Sequence, residues 1–467
     1  MANSVKKNTL FLSIGQFTQI ALSFILMPVA ARYLGDGGFG QYNLATALMY
    51  IIFLVNDSGL NTLTTRENAR DREQAAVLFG QALFVKIVLI IFCVIALGIS
   101  QWIYNFPRPM AMVVAIFAIY GVFTSMAQLA TGVFRSFERM EYETIIVILE
   151  KAVITGLGVY ALVHGASLVT FAAMFAIGGL ASLVASLFII NKKFFRIRLQ
   201  VDAARAKTLL QQALIFGLSM FLVTIYDRVA ILLLGKLRTD EMVGWYSAAH
   251  KLVALTSFVP SIIANATFPK LSRENQAGET MMALFTKGFK YLVFLALPLI
   301  AGVSILAAPV IDLIYGPGYE KAASALRILA LTTALSSLNI FLTGLFWATN
   351  YQKRMFIFQA IALAMNIGLN LILIPDYGHI GAAWASVATE GIMFLLSFYV
   401  AVTKITRIAE SLFILKGLGA TAVMAAFLLM APPIHLLASI VLSMVIYFGS
   451  LFLLRGFALD EILSFRQ

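Results

Sequence analysis

Cysteine is all but missing from this chain of 467 residues; the single Cys93 sits inside an apolar run. That excludes an intrachain disulfide and a cysteine-built metal site, and it leaves the redox compartment unread. Charge is scarce as well, at 12% of residues, against about a quarter in soluble domains. No polar stretch is long enough for a soluble catalytic or ATP-binding domain. The longest piece between apolar runs is "NKKFFRIRLQVDAARAK", residues 191–207. Hydrophobic residues fill the chain instead, 61% of it, in runs of about 20, the length a helix needs to cross a bilayer.

Fourteen runs qualify, near 8–32, 41–62, 78–100, 110–133, 144–163, 167–190, 208–235, 242–268, 284–314, 323–349, 355–374, 380–403, 410–431 and 434–454. They predict an all-α polytopic membrane protein of about fourteen transmembrane helices. The first run follows Lys6 and Lys7 as a signal peptide would. It is too long for one, carries Ser13, Gln16, Gln19 and Ser23 at helical spacing, and has no small-residue cleavage site after it, so it is the first membrane helix.

Basic residues between spans set the orientation. Lys6, Lys7, Arg66, Arg70, Arg72, Arg135, Arg139, Lys192, Lys193, Arg196, Arg198, Arg205, Lys207, Lys270, Arg273, Lys353, Arg354, Lys404, Arg407, Arg455 and Arg466 share the side of the N-terminus, while the other side holds only Arg32, Arg108, Lys236, Arg238 and Lys321. Both termini are therefore expected in the cytoplasm. The net charge of +12 is mostly this topology signal, aided by anionic lipid heads, and no nucleic acid is expected as a partner. The basic, amphipathic stretch 191–207 is expected as a linker helix on the inner membrane surface.

The chain also repeats itself. "GQYNLA" (40–45) after the first span pairs with "GWYSAA" (244–249) after the seventh, and "GVFRSFERM" (132–140) pairs with "GLFWATNYQKRM" (344–355). The offsets, 204 residues for the first pair and 212 to 215 for the second, agree well enough to predict two homologous halves. The expected organisation is a six-helix lobe over 1–190, the cytoplasmic linker 191–207, a second six-helix lobe over 208–403, and two further spans with a tail over 404–467. Six spans per half give parallel repeats, related by an axis along the membrane normal, with a substrate site between them near the midplane.

Six stretches carry a family resemblance: "YLGDGGFGQYNLA" (33–45), "NDSGLNTLTTRENAR" (56–70), "GVFRSFERMEY" (132–142), "YDRVAILLLGKLRTDEMVGWYSAAHKL" (226–252), "FPKLS" (268–272) and "NIGLNLILIPDYGHIGAAWASVATE" (366–390). In this order they resemble the Wzx-type polysaccharide and O-antigen flippases of the multidrug/oligosaccharidyl-lipid/polysaccharide exporter superfamily. The resemblance implies a V-shaped pair of lobes in the bacterial cytoplasmic membrane. Such a protein passes a polyprenyl-diphosphate-linked oligosaccharide from the inner to the outer leaflet by alternating access. It also implies membrane lipids, other glycan-assembly proteins and a coupling ion, H+ or Na+, as candidate partners, with no cofactor, no metal and no catalytic residue.

An anionic head group needs cations along its path. Eight basic residues fall within spans: Lys86, Lys151, Arg228, Lys251, Lys287, Lys290, Arg327 and Lys416. The acidic ones are Glu150, Asp227 and Glu390, with Asp57 and Asp312 nearer helix ends. Lys287, Lys290, Arg327 and Lys416 lie near an interface, where snorkelling explains them. Lys86 and Lys151 fall roughly 10 to 12 Å from the inner face at 1.5 Å per residue, which points to cavity lining; the rival is a structural pair between Lys86 and Glu150.

Arg228 and Lys251 are expected as phosphate or sugar contacts. Asp227, a sequence neighbour of Arg228 on a different helix face, should need a partner elsewhere, in a neighbouring helix, a coupling cation or a structural pair with Lys251. His250 reads as a packed histidine rather than a proton carrier. Arg66 and Asp57 match the resemblance's second-helix signature near the inner mouth, where the alternative is solvated helix-end charge.

Two patterns mislead. "GDGGFG" (35–40) fits a dinucleotide fingerprint but follows no strand, so it reads as a tight turn between helices. Trp102, Trp245 and Tyr246 sit where interfacial aromatic belts fall. Two other functions compete. An ion-coupled multidrug exporter would want carboxylates as the dominant cavity charge. A membrane-embedded glycan polymerase or glycosyltransferase would want a sizeable outer loop, which is absent.

Overall fold

A computed structural model describes residues 2–57, 59–256, 271, 279–408, 411–430 and 435–456. The second half of the expected eighth span, "FPKLS" apart from Leu271, Lys270, Arg273 and the C-terminal tail lie outside the described residues. Among the described residues the secondary structure is helical, with no strand. Ten helical stretches of the described residues are long and apolar enough to cross a bilayer. Large apolar side chains such as Phe17, Phe92 and Leu395 are exposed on them, a surface suited to lipid rather than water.

The first two expected spans form one helix, α1 (Ala2–Asp57), bent at Gly35 with φ 69° and ψ 176°. Only glycine takes that conformation freely, so the expected turn shrinks to a one-residue corner. The second span then breaks at Gly59 (φ 81°) and resumes as α2 (Leu60–Arg70). The following elements are α3 (Ala75–Tyr104), α4 (Arg108–Ser136), α5 (Met140–Val163), α6 (Leu168–Lys193), α7 (Ala203–Leu237) and α8 (Asp240–Thr256).

The described chain divides into two compact units, Met1–Gly244 and Trp245–Gln467. In the first unit α4 packs on α6, and α1 packs on α5. At the Gly35 end Tyr42, Phe117, Phe171 and Phe175 form an aromatic core, with ring centroids 5.2 to 5.8 Å apart. Edge and tilted contacts of this kind add to what burial alone contributes. Helix α7, grouped with the second lobe by the sequence reading, packs here on α1, α2 and α3.

The repeat glycines meet each other in this unit. A Cβ on Gly40 would lie 1.8 Å from the carbonyl oxygen of Asp240, and one on Gly244 would lie 2.1 Å from the carbonyl oxygen of Asp36. Each aspartate stands four residues before its own glycine, so Asp-x-x-x-Gly occurs twice and the two copies cross reciprocally. Gln41 Nε2 donates to Asp240 Oδ2 at 2.8 Å across the same crossing.

The 191–207 segment is not a helix throughout, which corrects the expectation. Helix α6 runs on to Lys193, residues 195–202 are non-helical, and α7 begins at Ala203 with Asp202 accepting from the N–H groups of Ala204 and Arg205. Exposure alternates over 195–198 as a helix would not allow: Phe195 and Ile197 pack on the core of the first unit, while Arg196 and Arg198 are exposed. The strap rests on α3 at Gly80, where a Cβ would lie 2.1 Å from the Arg198 carbonyl oxygen. Gly80→Ala should therefore lift it and speed tryptic cleavage after Arg196 and Arg198. Cleavage at the wild-type rate would mean that the strap does not depend on this contact.

The second unit holds the rest of α8 with α9 (Glu279–Ile305), α10 (Ala307–Tyr315), α11 (Ala322–Ala348), α12 (Gln352–Val400), a π turn (Ala401–Ile405), α13 (Leu412–Met430) and α14 (Leu436–Leu453). The eleventh and twelfth expected spans share α12, which bends at Gly378 (φ 54°, ψ −130°) as α1 bends at Gly35. Phe285, Phe289, Phe294, Phe341 and Phe413 form its core, and the Tyr447 hydroxyl donates to the Phe294 carbonyl at 2.7 Å, tying α14 to α9.

Candidate functional site

A cavity of about 990 Å³ opens inside the first unit, walled by α1, α2, α4 and α5. Its polar lining follows helical spacing. Helix α4 contributes Tyr120, Thr124, Gln128, Thr131 and Arg135, while α5 contributes Glu143, Glu150 and Lys151. Helix α1 adds Gln16, Gln19 and Asp57, and α2 adds Asn61, Thr65 and Arg66. Steps of three and four residues put the α4 set on one face. Polar stripes on apolar helices are tolerated in a bilayer where they face a wet interior.

Charge is arranged in two zones. Where α4 ends and α5 begins, Arg135 makes a fork to Glu143, with Nε at 2.8 Å and Nη2 at 2.5 Å from the two carboxylate oxygens. Arg66 pairs with Glu67 at 2.6 Å in the same region of α2. Just outside, Arg139 donates to Glu141, and this hydrogen bond raises the guanidinium pKa above its ordinary value. Eight residues further along α5, about 12 Å at 1.5 Å per residue, lies the second zone. Glu150 Oε1 accepts from the Tyr120 hydroxyl at 2.8 Å and from Lys151 Nζ at 3.1 Å. The lining holds amides and hydroxyls besides, and Asn61 Oδ1 is buried with no hydrogen-bond partner among the described residues.

Four of the residues singled out from sequence, Asp57, Arg66, Glu150 and Lys151, meet in this cavity. Lys86 does not line it. Its side chain is fully buried behind the wall and donates to Ser125 Oγ at 2.8 Å. Ser125 in turn donates to Asn56, and Asn56 donates to the Lys86 carbonyl. Lys86 meets the lining at Asp57, 3.8 Å away; among the described residues it forms no pair with Glu150, which accepts from Tyr120 and Lys151 instead. Asp57 also accepts from the Asn61 N–H at 3.3 Å, where the open N-terminus of α2 favours a carboxylate.

Arg228 lies beside this cavity rather than in its lining. Its guanidinium stacks over Tyr50, a lining residue, at 4.9 Å. Its Nε reaches Asp227 Oδ2 at 3.1 Å. Sequence neighbours were expected not to pair; the arginine side chain is long enough to fold back around the helix to the adjacent carboxylate.

The remaining candidates belong to the second unit. His250 on α8 stacks on Tyr246, rings 5.6 Å apart and 16° from parallel, and Lys251 follows it on α8. Glu390 on α12 accepts from Asn339 Nδ2 at 2.6 Å. None of the three lines the first unit's cavity.

Arg135, Glu143 and Tyr120 were not singled out from sequence. In sequence Arg135 reads as an interfacial topology charge, and Glu143 falls just outside the expected fifth span. The detectable signal was the Tyr120-Thr124-Gln128-Thr131-Arg135 stripe, polar at helical spacing through an otherwise apolar helix.

Residues 5–274 match the polysaccharide biosynthesis protein family. A protein of Escherichia coli strain K12 described as a putative O-antigen transporter is 23% identical over 406 residues, covering 83% of this chain and 94% of that protein. Among solved structures, the lipid II flippase MurJ in an inward closed conformation superposes with a TM-score of 0.77 at 17% identity, over 95% of this chain and 98% of its own. An inward-facing multidrug resistance MATE family transporter of the MOP superfamily gives a TM-score of 0.66 at 16% identity, over 84% of this chain and 97% of its own. At these identities the two structures establish a shared fold. With its apolar helices and the family match, the chain is a multi-pass membrane protein that belongs to the polysaccharide biosynthesis protein family and shares the fold of the lipid II flippase and the MATE family transporter.

Proposed function

We propose that this protein flips a polyprenyl-diphosphate-linked oligosaccharide, a repeat unit of O-antigen or another surface polysaccharide, from the cytoplasmic to the outer leaflet by alternating access. The observation that carries the proposal is the composition of the cavity: Lys151, Arg135 and Arg66 set among amides and hydroxyls, on helices that are otherwise mostly apolar. Cations suit the diphosphate. Amide and hydroxyl side chains, Asn61 and Gln128 among them, suit the hydroxyls of a sugar. The names of the family and of the Escherichia coli relative point the same way.

In this reading the Arg66 and Arg135 zone faces the cytoplasm of a bacterial cell, following the basic residues beside it, and both termini are cytoplasmic. Residues 1–190 and 208–403 act as two repeated lobes, with 404–467 appended. Arg228 and Lys251 contact cargo, and His250 and Glu390 hold the second repeat's framework. A coupling ion, H+ or Na+, and other glycan-assembly proteins complete the system, and no covalent chemistry is performed.

The carboxylates Asp57, Glu143 and Glu150 in the same lining favour one alternative, an ion-coupled exporter of cationic drugs. Each of the three, however, already holds a lysine or arginine. The test is a reconstituted vesicle assay with a labelled polyprenyl-diphosphate sugar and a leaflet-accessibility readout. Protein-dependent crossing is expected; none, with crossing of a lipophilic cation instead, would transfer the reading to the drug exporter.

A further inference from the structure

Lys151 is the cation deepest along α5 in the cavity lining, yet its ammonium is already engaged. It shares Glu150 Oε1 with the Tyr120 hydroxyl, and its own distance to the Tyr120 oxygen is 3.5 Å. The engagement is local and releasable. Glu150 and Lys151 are adjacent in sequence, so their Cβ atoms point about 100° apart around the helix and the pair forms only because both side chains bend toward each other. Both stay in contact with the cavity, with side chains 14% and 21% exposed, unlike fully buried Lys86. The same donors, one ammonium and one phenol, suit a phosphate oxygen.

Resting on the flippase reading, we propose that Glu150 is a resident counter-anion. It occupies the donors of Lys151 and Tyr120 until a cargo phosphate takes its place, and it reclaims them as the cargo leaves. A carrier has to let go of what it binds. An ammonium facing a diphosphate with little water between them would hold it tightly, and release would then limit the cycle. Glu150 swinging back onto Lys151 offsets the loss of the phosphate contact, so the carboxylate weakens binding and speeds turnover.

Glu150→Gln separates this role from a structural one, because glutamine keeps an acceptor for Tyr120 and loses the charge. In reconstituted vesicles with a labelled polyprenyl-diphosphate sugar, KM and the maximal rate should both fall, each roughly tenfold, the worth of one charge-assisted hydrogen bond. Glu150→Asp should restore both. A purely structural glutamate would give a raised or unchanged KM in the Gln variant, and that result overturns the proposal. Calorimetric titration of the purified full-length protein with inorganic pyrophosphate gives a readout independent of transport. Binding should be at least about tenfold tighter in the Gln variant than in wild type. Equal, weaker or undetectable binding in the variant overturns the inference even where wild-type vesicles flip cargo. Absent crossing by the wild type, with tighter pyrophosphate binding by the variant, would instead count against the flippase reading and leave the exchange at Lys151 standing.

Discussion

Alanine at Gly40 or at Gly244 should lower the thermal stability of the purified protein by several degrees, and the double variant should fall hardly further than the worse single one. Each methyl would sit about 2 Å from a carbonyl oxygen of the opposing repeat, 1.8 Å in one case and 2.1 Å in the other, whereas ordinary contact begins at 3.4 Å. A carbonyl cannot rotate out of the way as a side chain does, so the helices must separate by more than an ångström. Overpacking of this kind costs roughly 1 to 3 kcal/mol. The non-additivity follows from reciprocity: once the crossing has opened for one methyl, the second finds room. Thermal unfolding in detergent of the two single variants and the double closes the cycle. Strictly additive losses would show that the two contacts are independent rather than one shared crossing.

Lys151→Met should reduce cargo transfer by roughly ten- to a hundredfold, matching the 1.5 to 3 kcal/mol of a hydrogen bond to a charged group, while membrane insertion stays normal. Methionine approximates the length and apolar stem of lysine, so packing against α4 survives. The ammonium is lost, and Glu150 is left beside the cargo phosphates with only Tyr120 to hold it. Repulsion between that carboxylate and the diphosphate adds to the missing attraction. The vesicle assay measures the loss, and full transfer by the variant would remove Lys151 from the contact set.

The sequence was most legible where bilayer physics constrains it hardest. Spans follow from apolar run length, and α3, α4, α5, α6, α13 and α14 lie close to their expected positions. The connections were less so. A one-residue corner at Gly35 and a non-helical strap at 195–202 depend on backbone conformation and on what Phe195 and Ile197 pack against, and composition reports neither. For the site, depth within a span singled out Glu150 and Lys151. It could not distinguish Lys151, which lines the cavity, from Lys86, which lies behind the wall, because the two stand at similar depth and differ only in which way α3 and α5 are turned. Arg135 was hidden by the opposite problem, since a charge near a helix end serves topology and binding alike.

The corners at Gly35 and Gly378 also bear on how the chain is made. Almost no hydrophilic stretch separates the two arms of either bent helix, so the inserting machinery has nowhere to pause between them. Each pair is expected to enter the membrane as a single hairpin, and a mutation that misdirects the first arm would carry the second with it.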